Sequence, residues 1–218
     1  MPQGGASMAS ARALRIHVAT VHPAHLNWMH DVLRQADIEL IDSLTEGAAH
    51  VVIDTPFGWT FEHLASIDGP TRTRTLVVTP GTHPAYLDCV ASHHVSGVAS
   101  LTEPHSILAG LYAAASGQRS YHYRSPLTFM ELRVIRLLLQ GEDTEGTATS
   151  LGVSFKTVNA HVSNALGKLG ADSRAQLLVK VLGGTQESWD GYRAGAAGYL
   201  PGPLGTLIGG QADVAKAA

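Results

Sequence analysis

Between residues 14 and 116 two hydrophobic patterns take turns. Short runs dense in aliphatic residues occupy 14–19, 38–41, 50–53, 75–78 and 97–100. Between them, 25–35, 59–67, 84–93 and 104–116 space their apolar residues as helices do; Leu26, Met29, Val32 and Leu33 form one such stripe. The run His50-Val51-Val52-Ile53 has the near-continuous apolar character of a strand buried on both faces. Strand–helix alternation over this length predicts an α/β fold, a doubly wound parallel five-stranded sheet.

From Leu127 the period becomes helical throughout. Thr128 with Glu131 three residues later is a capping box, so a helix starts there with Leu132, Ile135, Leu138 and Leu139 on its apolar face. Gly141 ends it in a left-handed turn. The next run, 144–150, is a poor helix: it holds Gly146 and three threonines, and Gly costs about 1 kcal/mol relative to Ala. Gly152 makes a turn, and Ser154 caps a helix reaching Lys168. Val158, Val162, Ala165, Leu166 and Leu169 face inward; Lys156, Thr157, Asn159, Ala160, His161, Ser163 and Asn164 lie opposite. Two helices joined this way, the second offering small polar side chains, have the layout of a helix-turn-helix that enters a DNA groove.

These patterns divide the chain. Residues 1–12, rich in Gly, Ala and Ser, and 184–218, rich in Gly, Ala and Pro, are expected to be disordered. The α/β domain spans 13–118, a polar linker 119–126, and an all-α four-helix domain 127–183.

Composition narrows the setting. A hydrophobic content of 44% suits a fold with buried cores, and no apolar run approaches the length of a membrane span. The start of the chain lacks the apolar core of a secretion signal. A lone cysteine, Cys89, allows no internal disulfide and fits a reducing cytoplasm; a small buried apolar role on its helix is the simple reading. The net charge of −3 does not advertise a nucleic-acid partner. Residues 1–124 carry seven Lys/Arg against ten Asp/Glu, while 125–183 carry six against five. A helix-turn-helix this faintly basic is expected to bind weakly as a monomer and to depend on dimerisation, because phosphate contacts supply much of the affinity.

The helical segment resembles the LuxR/NarL-type helix-turn-helix at the C-terminus of many bacterial response regulators. The matching residues are Leu127-Thr128, Glu131, Val134, Leu137, Gly141, Ala148, Leu151-Gly152, Ser154, Lys156-Thr157-Val158, His161-Val162, Asn164, Lys168-Leu169-Gly170, Ser173-Arg174 and Gln176. The resemblance implies double-stranded DNA as partner. Asn159, Ala160 and Ser163 would face base edges, with Lys156, Thr157, His161, Asn164 and Lys168 in or beside the contact. It also implies that a helix from Arg174 pairs two modules through Leu177, Leu178 and Val181. Two departures stand out. Asn159 replaces a frequent Lys, which favours adenine over guanine. Gly146-Thr147 replaces a usual Glu-Ile pair and softens the first helix of the motif.

The α/β half resembles a CheY-like receiver: Val21-His22-Pro23 follows the first strand, Asp54 the third and Thr79 the fourth. By that resemblance Asp54 holds the phosphoacceptor position and Thr79 the switch hydroxyl. The acidic pair that holds Mg2+ in receivers is here Thr20-Val21, neither a hard anionic ligand. Leu101 stands for the usual Lys, and Val98 for the switch aromatic. Phosphoryl transfer runs on metal and cation charge stabilisation, so Asp54 is expected to be inactive as a phosphoacceptor. Its alternative is a strand-end carboxylate capping the next turn. The linkage SLTEGAAH between the second and third strands has room only for a turn, so the receiver's second helix is shortened or lost. One sheet face is then expected to expose an apolar patch, open to a small ligand, a protein partner or a second subunit.

Eleven of the twelve histidines lie in residues 1–124. Only His22/His25 and His93/His94 are close in sequence, and no cysteine accompanies them, so no metal or other cofactor is expected. No nucleophile triad or phosphate loop appears, so the chain is not read as an enzyme. The expectation is a cytoplasmic, sequence-specific transcription regulator, an atypical response regulator that acts as a homodimer without phosphorylation. Two alternatives stay open: a ligand- or protein-sensing module with vestigial DNA binding, and an ordinary phosphorylated response regulator.

Overall fold

Five parallel strands, β1 (Leu14–Ala19), β2 (Ile38–Ile41), β3 (Ala49–Ile53), β4 (Thr75–Thr79) and β5 (Gly97–Ser100), stand in the order β2-β1-β3-β4-β5. The computed structural model describes residues 14–183 apart from 35, 37, 56, 57 and 82, so the disorder expected at 1–12 and 184–218 lies outside the described residues. Ile16 on β1 pairs with Leu40 on one side and Ala49 on the other. Helices α1 (Pro23–Leu33), α2 (Trp59–Ser66), α3 (Gly69–Arg72) and α4 (Pro84–Ala91) stand between strands, and α5 (Pro104–Ala115) follows β5. The short α3, capped by Asp68 on Thr71, has no counterpart in the sequence reading, because four residues carry no period.

Alternation along the strands sorts the sheet into two faces. Ile16, Val18, Val51, Ile53, Leu76 and Val78 face α1 and α5, packing with Met29, Leu33, Ile107 and Leu111. Val52 and Val77 face the other way, with Phe61, Leu64, Tyr86 and Val90 of α2 and α4. All residues of β3 and β4 are buried, which accounts for their uninterrupted apolar runs.

No helix stands between β2 and β3; residues 42–48 form turns, with Gly47 at φ 82. The face left open there is not the apolar patch anticipated from the sequence. It carries His17 and His50, stacked with ring centroids 5.2 Å apart; His63 of α2 lies against His50, and Trp59 against His63. Imidazoles cover the gap because positions 17 and 50 fall on the α2 side of the strands.

The C-terminal half is four helices: α6 (Phe129–Leu139), α7 (Thr144–Leu151), α8 (Phe155–Leu169) and α9 (Arg174–Val181). Both bonds of the Thr128/Glu131 capping box form, at 3.3 and 2.6 Å. The weak α7 forms nonetheless. Asp143 accepts from Gly146 N at 2.6 Å to cap it, Thr147 and Ala148 bury against the bundle, and Gly152 closes it in a left-handed turn.

The two halves share one core. Helix α4 packs on α6 and α9, and a single apolar cluster runs from Val52 and Tyr86 to Leu132, Leu177 and Val181. Buried Asp88 of α4 accepts from Tyr121 OH at 2.7 Å, Arg124 N at 3.0 Å and Ser125 N at 2.7 Å, so the polar linker is pinned to α4. Cys89 lies buried in the same seam, with its Sγ 3.7 Å from Leu132 O; burial pushes its thiol well above the ordinary range.

Candidate DNA interface and the Asp54 site

Ser154 positions α8. Its Oγ accepts from Thr157 N at 3.0 Å and touches Thr157 Oγ1 at 2.8 Å, so Thr157 is half-buried in the cap it helps to build. Val158, Val162 and Ala165 anchor the inner face in the bundle. The outer face presents Lys156, Asn159, Ala160, Ser163 and Asn164 to solvent, with His161 half-buried at its edge. Fifteen residues rising 1.5 Å each give a rod of about 22 Å, long enough to lie along a major groove. Phe155, 58% exposed at the first position of α8, belongs to the same surface and was missed in sequence; an aromatic directly after the serine cap was its signal.

Lys168 does not join that surface as a free cation. Its Nζ holds both oxygens of Glu131, at 3.0 and 2.7 Å, and ties α8 to α6. Glu131 is almost fully buried. Burial raises its carboxyl, but the Lys168 ammonium and the Thr128 bonds outweigh that and hold it below the ordinary value. Arg174 is occupied too, bonding Thr144 Oγ1 at 2.9 Å and Glu142 O at 3.0 Å.

The residues read as a dimerisation surface fall elsewhere. Leu177, Leu178 and Val181 are all buried in this chain's own core, where α9 meets α4, α6 and α8. As the chain is folded here they offer no surface to a second copy. The apolar side of α9 is the same whether it meets another subunit or the α/β half, so sequence could not separate the two.

At the C-terminal end of β3, Asp54 is wholly buried and every acceptor direction of its carboxylate is used. Oδ1 accepts from Gly58 N at 3.0 Å and Thr60 N at 3.1 Å. Oδ2 accepts from Thr79 Oγ1 at 2.8 Å and from Tyr86 OH in a very short bond. Burial raises the carboxyl's pKa above its ordinary value, and the bonds from Tyr86, Thr79, Thr60 and Gly58 oppose the rise. The strand-end carboxylate thus caps the turn into α2. Tyr86 was not singled out in sequence, because nothing in the α4 run Pro84-Ala85-Tyr86 marks which way the hydroxyl points. Where a receiver has its acidic pair, Thr20 Oγ1 lies 3.1 Å from His25 Nδ1, which Thr55 Oγ1 also reaches at 2.9 Å.

The histidines form a second constellation that sequence spacing hid. His17 Nδ1 lies 3.2 Å from His50 Nδ1, and His50 Nε2 lies 3.0 Å from His63 Nε2. Burial, then the charges of His63 and His17, hold the pKa of His50 down at about 4, so it is neutral at physiological pH. The three rings run in a row rather than converging. Among the described residues no set of three His, Cys, Asp or Glu is placed to hold a metal ion, and no helix is long and apolar enough to cross a membrane.

Comparison with known proteins bears on the helical half. The model of the bacterial regulatory proteins of the luxR family matches residues 125–181. The spore germination protein GerE of Bacillus subtilis (strain 168) is 38% identical over 65 residues, which are 30% of this chain and 88% of GerE. The chain belongs to the luxR family. The luxR match covers the linker's last residues and all of α6 to α9. Solved structures align with more of the chain at lower identity. RcsB from Salmonella enterica serovar Typhimurium, bound to promoter rprA in the presence of the phosphomimetic BeF3-, is 20% identical, covering 79% of this chain and 100% of that one with a TM-score of 0.49. Full-length FixJ from B. japonicum is 16% identical, covering 78% and 97% with a TM-score of 0.36. Both likenesses are too distant to bear on function.

Proposed function

We propose that this luxR-family chain is a cytoplasmic, sequence-specific DNA-binding transcription regulator that acts as a homodimer and needs no phosphorylation. Residues 13–118 form its receiver-like domain, 119–126 the linker and 127–183 the DNA-binding domain. The observation that carries the reading is the outer face of α8, solvent-exposed along its length and anchored by the Ser154 cap. Lys156, Thr157 and His161 approach phosphates, Asn159, Ala160 and Ser163 approach base edges, and Asn164 lies beside the contact. With Lys168 neutralised by Glu131, little positive charge remains on that face, so two copies on a two-fold operator must share the burden of affinity.

Phosphorylation independence rests on Asp54. A carboxylate with no exposed surface and four internal donors offers no lone pair to a phosphoryl donor or Mg2+. Control then falls to a small ligand, a protein partner or the amount of protein. Gel shifts against genomic fragments test the DNA reading. Lys156→Ala should weaken binding evenly across sequences, while Asn159→Ala should cost about 1–3 kcal/mol on the preferred site alone. Absence of salt-sensitive, sequence-preferring binding by the parent chain would overturn it.

A further inference from the structure

Where α3, the end of α4 and α6 meet, a cleft of about 600 Å3 opens between the receiver-like and DNA-binding halves. Its walls carry Arg72, Arg133 and Arg136 together with His93, His94 and Phe129; Glu142 is the single acidic residue among the described lining. The two ion pairs among the described residues are Arg34–Asp31 and Lys168–Glu131, so none of these three guanidiniums has a carboxylate. Their internal bonds are few. Arg72 reaches Leu64 O at 3.2 Å, Arg136 reaches Ser92 Oγ at 3.2 Å and Ser92 O at 3.5 Å, and Arg133, among the described residues, has only Met130 Sδ at 3.8 Å. With five N–H donors to each guanidinium, most are left for something else. Burial, and then the charges of Arg133 and Arg72, depress the pKa of Arg136; an anion between the guanidiniums would offset their mutual repulsion.

Two further features point to a ligand. His93 is 7% exposed, and its Nε2, like Arg136 Nε, is enclosed in the cleft wall with no partner among the described residues. Buried donors and acceptors are paired in most folds, and these two enclosed atoms are exceptions that leave Arg136 and His93 under-bonded beside the cleft. His94 adopts φ 65, the one non-glycine residue at positive φ among those described. That turn sets its ring 6.5 Å from Phe129, itself 48% exposed, and so places two flat rings beside the arginines.

We propose that this cleft binds a nucleotide, with its phosphates on Arg72, Arg133 and Arg136 and its base against Phe129 and His94. The volume falls within the range of small-molecule sites, about 300–1,000 Å3. Arg133 and Arg136 belong to the DNA-binding half and Arg72 to the receiver-like half, so bound phosphates bridge the two.

Calorimetric titration of the full chain with ATP, inorganic phosphate and adenosine tests this. The assay reads a small molecule, so it stands apart from the outcome of the gel shifts. ATP should bind at least about tenfold more tightly than either fragment, and Arg133→Gln should weaken ATP by about tenfold or more, since a charge-assisted bond is lost. Phe129→Ala should weaken ATP while leaving phosphate unchanged. Arg133 makes one sulfur contact, so the thermal midpoint of Arg133→Gln should match the parent's. No heat with ATP, phosphate binding as tight as ATP, or ATP affinity untouched in folded Arg133→Gln overturns the proposal. So does displacement of ATP by a non-specific DNA duplex that itself needs Arg133, since the cleft would then be a DNA-backbone contact.

Discussion

Replacing Asp54 by alanine and by asparagine separates what its carboxylate does for folding from what a phosphoacceptor would do. Alanine strips the acceptor from four donors at once: Gly58 N, Thr60 N, Thr79 Oγ1 and Tyr86 OH. The two hydroxyls can turn elsewhere; the two backbone N–H groups cannot. At about 1–3 kcal/mol for each buried donor left unpaired, the fixed pair alone gives about 2–6 kcal/mol, part of it offset by removing a buried charge. A net loss of about 3 kcal/mol is a large share of the roughly 5–15 kcal/mol of a typical domain. Asparagine keeps an oxygen for the two N–H groups. Its amide nitrogen faces Thr79 and Tyr86, whose hydroxyls can rotate to accept, so Asp54→Asn should fall within about 1 kcal/mol of the parent. The pH dependence follows the sign of the shift. Burial raises the folded pKa of Asp54 above its ordinary 3.8, so its contribution is fullest below that value and is lost as pH rises through the raised one; asparagine removes this slope. Urea unfolding followed by tryptophan fluorescence, to which Trp59 on the helix this turn leads into contributes, measures all three proteins. An Asp54→Ala variant within 1 kcal/mol of the parent, or an asparagine variant as damaged as the alanine one, refutes the reasoning.

Other outcomes follow from the same geometry. Acetyl phosphate or beryllofluoride should leave the mass and oligomeric state of the chain unchanged; a phosphoryl adduct on Asp54 would show that its four bonds open readily. His50, held at about 4, binds its proton later in the folded chain than in the unfolded one. Stability should therefore fall as pH drops below 6.5, by on the order of 3 kcal/mol by pH 4 from this group, and His50→Gln should flatten that loss in pH-dependent melting. Glu131 is shifted down, so its contribution is present above its ordinary 4.5 and lost as pH falls through its depressed value; Glu131→Gln should blunt acid unfolding, and Lys168→Ala should strand a buried carboxylate and destabilise the DNA-binding half by about 2–4 kcal/mol. Ser154→Ala should cost about 1 kcal/mol and fray the start of α8, visible as faster amide exchange at Phe155 to Thr157.

Periodicity and caps along the chain determined the elements. The two-residue alternation of β1, the apolar runs of β3 and β4, the Thr128/Glu131 box and the Ser154 cap are local signals, and local backbone physics reads them directly. The outer face of α8 was legible for the same reason: once the inward positions are known, the opposite ones follow from 3.6 residues per turn. What touches what across the chain was decided only by tertiary structure. Tyr86 on Asp54, Lys168 on Glu131, the His17–His50–His63 row and the Arg72–Arg133–Arg136 cleft each join residues from different elements, and a one-dimensional pattern carries no distance between elements. The apolar stripe of α9 states that Leu177, Leu178 and Val181 must be covered. It does not state by what, because burial of apolar surface is non-directional and any apolar partner satisfies it.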